Sequence, residues 1–224
     1  MSRVTKPELQ SVGDLLTQLG GISPRRVCLD PPPGRATKKD LLRIRDRGGR
    51  LYELVDRTLV EKPMGSPESY LALELGRLLG NYVAEKDLGF LYGADSLIEM
   101  LPGLVRGPDV CFVPWSKWPP RTVPTEPISD LIPDLTVEVL SPGDTRAETR
   151  RKLKEYFLAG VRLVWVISPR TRTADVYTAP DEVTTIPATG TLDGGGVVPG
   201  FRLPLAALFE RLGKPAGKKP RKRN

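Results

Sequence analysis

The segment from residue 134 to residue 168 limits the possible folds of this chain more than any other. Residues 134–140 begin with Asp134 and continue as an apolar run interrupted by one further acid, which is typical of a strand in the buried centre of a sheet. Residues 145–159 predict a helix, and residues 162–168 predict a second buried strand. A strand, a helix and a strand in this order predict two parallel strands joined by a right-handed crossover. We therefore expect an α/β protein.

Two helices have clear ends in the sequence. Thr145 and Glu148 have the spacing of a capping box, in which two side chains satisfy two free backbone donors. Gly160 is a typical terminator of this helix. A second helix is expected to start at Ser66 as N-cap, with a proline at its first position, and to end near Lys86.

The strands before residue 134 are expected to form two pairs. Residues 50–55 and 58–61 predict a hairpin with a tight turn between them. Residues 90–100 and 104–113 predict two long strands that pair through a Pro-Gly turn at residues 102–103.

The charges divide the chain into three regions. The net charge is +7, but residues 211–224 contain seven basic residues and no acid, whereas residues 37–210 contain 22 of the 34 basic and 24 of the 27 acidic residues. We therefore expect an N-terminal extension (residues 1–36), one folded domain (residues 37–210) and a basic tail. The tail either contacts phosphate or is a solvated, disordered terminus. The folded domain is not basic overall, so the net charge does not indicate a nucleic-acid surface on it.

The chain contains no histidine. This excludes Ser-His-Asp triads, Cys-His pairs, HExxH zinc sites and histidine proton relays. Cys28 and Cys111 are far apart in the sequence and form no CxxC motif, so we expect both to be reduced and structural. Any chemistry must then depend on carboxylates, Lys, Tyr, Ser or Thr, or on a metal with oxygen ligands.

We expect a cytoplasmic location. No apolar run approaches the roughly 20 residues that cross a bilayer, and the amino terminus has no apolar segment typical of a signal peptide. Association with a membrane is therefore not expected.

Two acids lie inside predicted strands. Asp109 precedes the apolar residues 110–113, and Glu138 interrupts the apolar run of residues 134–140. An unpaired buried carboxylate costs several kcal/mol, so each must be paired, protonated or bound to a metal. A single buried acid is explained equally well by a structural ion pair or hydrogen bond as by a metal site. Two in neighbouring strands favour a metal site, and Mg²⁺ prefers carboxylate oxygens.

Lys152 and Glu74 are the remaining candidates for catalytic residues. Lys152 lies on the helix that follows the strand of Glu138, where its ammonium could reach back over the end of that strand. The alternative is an ordinary helix pair with Glu148, in which Lys152 faces solvent. Glu74 lies beside the apolar stripe of the earlier helix and either leans toward the sheet or faces water. Glu53 in the first hairpin is interpreted as structural.

In their order along the chain, these segments resemble the Uma2 family, which has a PD-(D/E)xK nuclease-like fold. The resemblance covers residues 37–210 and depends on the following stretches: Arg50 to Asp56, Ser66-Pro67, Arg106 to Val110, Pro133 to Pro142, Lys152 with Tyr156, Gly160-Val161, and Trp165 to Ile167.

The resemblance implies a restriction-endonuclease-like core, with a central mixed β-sheet flanked by helices. It also implies that Asp109 and Glu138 bind Mg²⁺, for which Mn²⁺ is a possible substitute. Lys152 would take the place of the motif's lysine, and Glu74 would be the acid of the first core helix. DNA is the expected partner, and both a monomer and a homodimer are compatible with the sequence.

Three positions depart from the family pattern. Leu140 stands where the motif has its lysine, Ser69 lies near the place of a usual histidine, and Arg57 replaces a turn glycine. The missing histidine indicates altered substrate handling or a weakened site.

The leading hypothesis is a Mg²⁺-dependent endonuclease that hydrolyses DNA phosphodiester bonds. The first alternative is a catalytically inactive nucleic-acid-binding or regulatory module on the same fold. The second alternative is a structural or interaction protein, whose acids are held in internal ion pairs.

Overall fold

The computed structural model of the protein describes residues 10–213, which contain five α-helices and twelve β-strands. The helices are α1 (Val12–Gln18), α2 (Lys38–Asp46), α3 (Ser66–Glu85), α4 (Arg146–Ala159) and α5 (Leu205–Phe209). The strands are β1 (Tyr52–Val55), β2 (Thr58–Glu61), β3 (Gly89–Gly93), β4 (Ile98–Leu101), β5 (Leu104–Arg106), β6 (Val110–Pro114), β7 (Leu135–Val139), β8 (Leu163–Ser168), β9 (Thr173–Ala179), β10 (Glu182–Ile186), β11 (Thr191–Asp193) and β12 (Arg202–Pro204).

A six-stranded sheet in the order β10-β9-β8-β7-β6-β3 forms the centre of the fold. β7 and β8 are parallel, and the other neighbours in this sheet are antiparallel. The apolar residues of α3 share a core cluster with Val110 and Val137. Leu153 and Tyr156 of α4 belong to a different cluster, with Cys111 and Val164. The predicted mixed sheet flanked by helices is confirmed.

A smaller sheet in the order β2-β1-β5-β4 lies beside the central sheet and corrects one prediction. The two long strands expected at residues 90–100 and 104–113 are each divided into two short strands. β4 and β5 pair through residues 102–103 in the small sheet, as expected, but β3 and β6 pair in the central sheet. The break between β5 and β6 falls at Gly107 and Pro108, because a proline has no backbone N–H to donate in a β-ladder. Here the chain passes from one sheet to the other, immediately before Asp109.

The predicted turns and caps are mostly confirmed. Asp56 and Arg57 both have positive φ, as a two-residue hairpin turn requires, and Gly160 ends α4 in the left-handed conformation. The N-cap of α3 is Gly65 rather than the expected Ser66. The helix can start one residue early because a proline within the first turn removes only an N–H that has no helical partner.

The capping box of α4 is only half formed. Thr145 Oγ1 accepts from the backbone N–H of Glu148. The carboxylate of Glu148 does not return the bond but binds Arg26, at 2.7 Å from each of two guanidinium nitrogens. A long-range ion pair thus replaces the second half of the box.

The described part of the predicted N-terminal extension packs against the rest of the chain. Leu15, Leu19 and Ile22 are buried in the core cluster that contains the α4 residues, and Val27 forms a bridge to Val60. Residues 1–9 and 214–224, which include most of the basic tail, lie outside the described residues. The limits of the three regions and the nature of the tail stay predictions.

Cys28 and Cys111 are both free thiols, as expected. Burial raises the pKa of the Cys111 thiol to about 12, which is consistent with a structural role. Within residues 10–213, none of the helices combines the length and the apolar character that a membrane span needs. The cytoplasmic location stays a prediction.

Candidate active site

Strands β6 and β7 bring Asp109 and Glu138 together. Val110 pairs with Val137 in antiparallel register, so Asp109, one residue before β6, lies opposite Glu138. The backbone N–H of Asp109 donates to Val137 O at 3.0 Å, and the Oδ2 atom of Asp109 accepts from the N–H of Val139 at 2.6 Å. Because side chains alternate along strands, both carboxylates point to the face that α4 covers.

Helix α4 places a lysine and a tyrosine on Glu138. The Nζ atom of Lys152 lies 3.0 Å from Glu138 Oε2, and the Tyr156 hydroxyl donates to Glu138 Oε1. Only 6% of Lys152 is exposed. The alternative of a solvent-facing Lys152 paired with Glu148 is therefore not the arrangement found, since Glu148 binds Arg26 instead.

Asp109, Glu138, Lys152 and Tyr156 form a buried cluster, and Glu53 also belongs to it. Its Oε2 atom lies 2.6 Å from a guanidinium nitrogen of Arg106, and its Oε1 atom accepts from the N–H of Gly107 at 3.1 Å. The same Oε1 atom lies 3.8 Å from Lys152 Nζ. The structural interpretation of Glu53 agrees with its pairing with Arg106, but the contact with Lys152 joins it to the candidate site.

Lys62 is the member of the cluster that sequence reasoning missed. Its Nζ atom lies 2.7 Å from Asp109 Oδ1 and donates to the carbonyl of Gly107. Lys62 follows directly after β2 and is 7% exposed. A lysine just after a strand is normally interpreted as a surface residue, and the sequence gives no sign that β2 ends beside Asp109.

The surroundings raise the pKa values of Glu138, Lys152 and Tyr156. Burial raises the pKa of Glu138, partly offset by Lys152 and reinforced by Asp109. Burial alone would lower the pKa of Lys152, but the carboxylates of Glu138 and Glu53 outweigh it and raise that pKa. Burial, with Glu138 next, raises the pKa of Tyr156. Near neutral pH, Lys152 is thus an ammonium ion and Tyr156 an intact phenol.

Glu74 lies apart from these residues. It is on α3, whose apolar side packs on the opposite face of the central sheet. Its carboxylate forms two hydrogen bonds with Arg77 of the same helix, at 2.7 and 3.0 Å. Within residues 10–213, no hydrogen bond or ion pair connects Glu74 with Asp109, Glu138 or Lys152. Its catalytic role stays a prediction.

Two small clefts border the cluster. Glu138, Lys152 and Tyr156 line the first cleft, together with other residues of α4 and β8. Glu53 and Lys62 line the second cleft. Buried side chains of the cluster are therefore close to open space on two sides.

The donor chemistry of the cluster fits a hard divalent cation. In the part of the chain that the structure describes, no group of three or more His, Cys, Asp or Glu residues is arranged to hold a metal ion. Mg²⁺, however, is commonly bound by one or two carboxylates, together with water and substrate phosphate. Asp109 and Glu138, opposite each other, supply that minimum, but an ion at Asp109 Oδ1 must compete with the ammonium of Lys62.

Comparison with known proteins places the chain in a family and identifies a related fold. Residues 39–206 match the model of the Uma2 family, which is described as "Putative restriction endonuclease". The fold resembles the crystal structure of a "putative nuclease belonging to DUF820" from Anabaena variabilis, with a TM-score of 0.64 and 19% identity over 72% of this chain and 90% of that chain. No curated protein matches the sequence. At this identity, the structural likeness concerns the fold.

Proposed function

Because this chain belongs to the Uma2 family of restriction-endonuclease-like proteins, we propose that it is a Mg²⁺-dependent endonuclease that hydrolyses DNA phosphodiester bonds. The observation that carries the proposal is the position of Asp109 and Glu138. Asp109 lies one residue before β6, next to Glu138 of the neighbouring strand β7, and the ammonium of Lys152 contacts Glu138. Two buried carboxylates and one fixed ammonium are a minimal set for metal-assisted phosphoryl transfer.

Asp109 and Glu138 would hold the metal ion through their carboxylate oxygens. A bound Mg²⁺ would neutralise charge on the phosphate and lower the pKa of a water. The backbone N–H of Val139 fixes the carboxylate of Asp109, and the hydroxyl of Tyr156 fixes that of Glu138. Val139 and Tyr156 therefore act as positioning residues, because they set the direction of the two carboxylates.

Lys152 would orient the attacking water and stabilise the negative charge that develops on the phosphorane. Its raised pKa keeps the amine protonated, so it acts by charge and hydrogen bonding, not as a general base. Its attachment to Glu138 and Glu53 holds the ammonium in place before the reaction, which avoids reorganisation cost. Glu74 is the proposed support for an ion or a water; to serve in that way it would have to leave Arg77 and reach the site from α3, which packs on the other face of the sheet.

The second candidate function is a catalytically inactive nucleic-acid-binding or regulatory module. It is favoured by the ion pair between Lys62 and Asp109, which occupies one of the proposed ligand atoms. Such a module would bind nucleic acid with an affinity that falls as salt rises. Its binding would be insensitive to the loss of Asp109 or Glu138.

The test is a cleavage assay with single- and double-stranded DNA in the presence of Mg²⁺, Mn²⁺ or EDTA. We expect metal-dependent cutting by the wild type and none by Asp109→Ala or Glu138→Ala. Asp134→Ala is the matched control, because Asp134 is also a buried, ion-paired acid beside β7 but lies outside the cluster. Cutting that survives both site substitutions would overturn the assignment.

A further inference from the structure

Lys62 lies in the connection between the small sheet and helix α3. Its backbone N–H donates to Leu51 O at 2.8 Å, so the main chain is held by the hairpin. Its side chain extends to Asp109 Oδ1 at 2.7 Å, with the Gly107 carbonyl as a second acceptor. The four-carbon side chain also borders the cleft that Arg45 and Arg50 line. The main chain is thus fixed, while the side chain has open space beside it.

We propose that Lys62 is an internal counter-ion of Asp109, which a divalent cation displaces when it binds. The inference rests on the proposed function, because it takes Asp109 as a metal ligand. Among the groups that contact the two acids, the N–H of Val139 belongs to the main chain, and Lys152 and Tyr156 approach Glu138. Lys62 is the cation that holds Asp109.

The metal ion and the ammonium of Lys62 compete for one oxygen atom, Asp109 Oδ1. Mg²⁺ binds oxygen at about 2.1 Å. With Lys62 Nζ at 2.7 Å from the same oxygen, the ion and the ammonium could be no more than about 5 Å apart. Repulsion over that distance, in a buried cluster, opposes joint occupancy of Asp109 Oδ1. Lys152 faces a similar repulsion at Glu138, but a second carboxylate, that of Glu53, also holds it. The second acceptor of Lys62, in contrast, is the neutral carbonyl of Gly107. Lys62 is therefore the ammonium that gives way, and a cleft lies beside it.

Removal of the Lys62 ammonium should therefore have two different effects, one on the stability of the metal-free protein and one on the affinity for the metal ion. Without metal, the ammonium compensates the buried Asp109, so its removal destabilises the protein. With metal, the ammonium is a competitor, so its removal tightens the binding of the ion. A purely structural ion pair would produce the first effect without the second.

The experiment measures Mn²⁺ binding to the full-length protein without DNA, by electron paramagnetic resonance of free Mn²⁺ and by thermal unfolding at increasing Mn²⁺. Compared with the wild type, Lys62→Gln should bind Mn²⁺ at least about tenfold more tightly and should unfold at a lower temperature without metal. Lys117→Gln is the control, because Lys117 pairs with the buried Asp134 outside the cluster; Lys117 is itself partly exposed, and Asp134 keeps its second partner, Arg162. The control should leave the Mn²⁺ affinity unchanged.

A second variant, Lys62→Arg, tests the inference if Lys62→Gln does not fold. Lys62→Arg keeps the positive charge and can form a forked contact with the carboxylate, so it should bind Mn²⁺ no more tightly than the wild type. A tighter affinity in Lys62→Arg would overturn the inference.

The outcomes separate this inference from the proposed function. An unchanged or weaker Mn²⁺ affinity in Lys62→Gln, or no bound Mn²⁺ in either protein, overturns the role of Lys62. If the wild type still cuts DNA in an Asp109-dependent way, the proposed function survives that result. Tighter binding in Lys62→Gln without any cutting by the wild type would support the role of Lys62 and reject the endonuclease.

Discussion

The ammonium of Lys152 lies 3.0 Å from the carboxylate of Glu138, although fourteen residues separate them. The contact follows from the crossover: Glu138 is near the end of β7, and Lys152 is in the second turn of the helix that leads back to β8. A parallel pair of strands requires the intervening helix to lie over one face of the sheet. The crossover that defines the fold therefore also joins the proposed metal ligand to the proposed charge-stabilising group.

Lys152→Met should lower the rate of metal-dependent cleavage by about 100-fold or more, because it removes an ammonium fixed before the reaction. Lys152→Arg should retain part of the rate, since it keeps a positive charge at the same place. Single-turnover rates at saturating metal and DNA measure this effect apart from binding. Full activity of a folded Lys152→Met variant would exclude a direct role for this side chain.

Glu53→Ala should reduce the free energy of unfolding by about 3 kcal/mol, because it removes one of the two carboxylates that pair with the fully buried guanidinium of Arg106 and leaves Glu155 as the other. The double variant Glu53→Met with Arg106→Leu should recover part of this loss, because both charges of the pair are removed and Glu155 keeps its ion pair with Arg151. Urea unfolding of the single and double variants measures both values. A double variant less stable than Glu53→Ala would contradict the explanation.

The ion pairs of Glu53 should make the protein sensitive to acid. Burial opposes ionisation, but Lys152, Arg106 and Lys62 outweigh it and hold the pKa of Glu53 well below its ordinary value of 4.5. The stabilisation by this carboxylate is therefore fully present above pH 4.5 and is lost as the pH falls toward the lowered pKa. The difference in unfolding free energy between the wild type and Glu53→Gln should shrink over that interval. A difference that stays constant down to the lowered pKa would show that the carboxylate is not stabilised by its charge.

Arg26→Met should destabilise the protein by about 3 kcal/mol or more, because it leaves the buried carboxylate of Glu148 unpaired. Arg25→Met is the control, since Arg25 is exposed and adjacent in sequence. Thermal unfolding of the two variants makes the comparison. Equal unfolding temperatures would mean that the N-terminal segment does not support helix α4 through this ion pair.

The parts of the fold that depend on local signals were predictable. The hairpin turn, the end of α4 at Gly160 and the parallel crossover each follow from patterns within a few tens of residues. Asp109 and Glu138 were recognisable because an acid inside an apolar strand requires a partner. The resemblance to the family then added the reason to place Lys152 beside them.

Contacts between distant segments were not predictable in the same way. The break at Gly107 and Pro108 divides a long apolar run between two sheets, and the run itself does not show where the chain changes sheet. The contact of Lys62 with Asp109 depends on how the two sheets meet. The same holds for Arg26, whose bond to Glu148 replaces a local cap that the spacing alone predicted.

A double-mutant comparison of Asp109→Asn and Glu138→Gln tests the central claim most directly, because both variants keep the shape of the side chain and remove its charge. Cleavage of supercoiled plasmid DNA in Mg²⁺ is measured for the wild type, each single variant and the double variant at equal folded concentration. If the two carboxylates form one metal-dependent site, each single variant should lose about 100-fold or more of the rate, and the double variant should lose little beyond that. Wild-type rates in the single variants, or losses that multiply in the double variant, would contradict the claim.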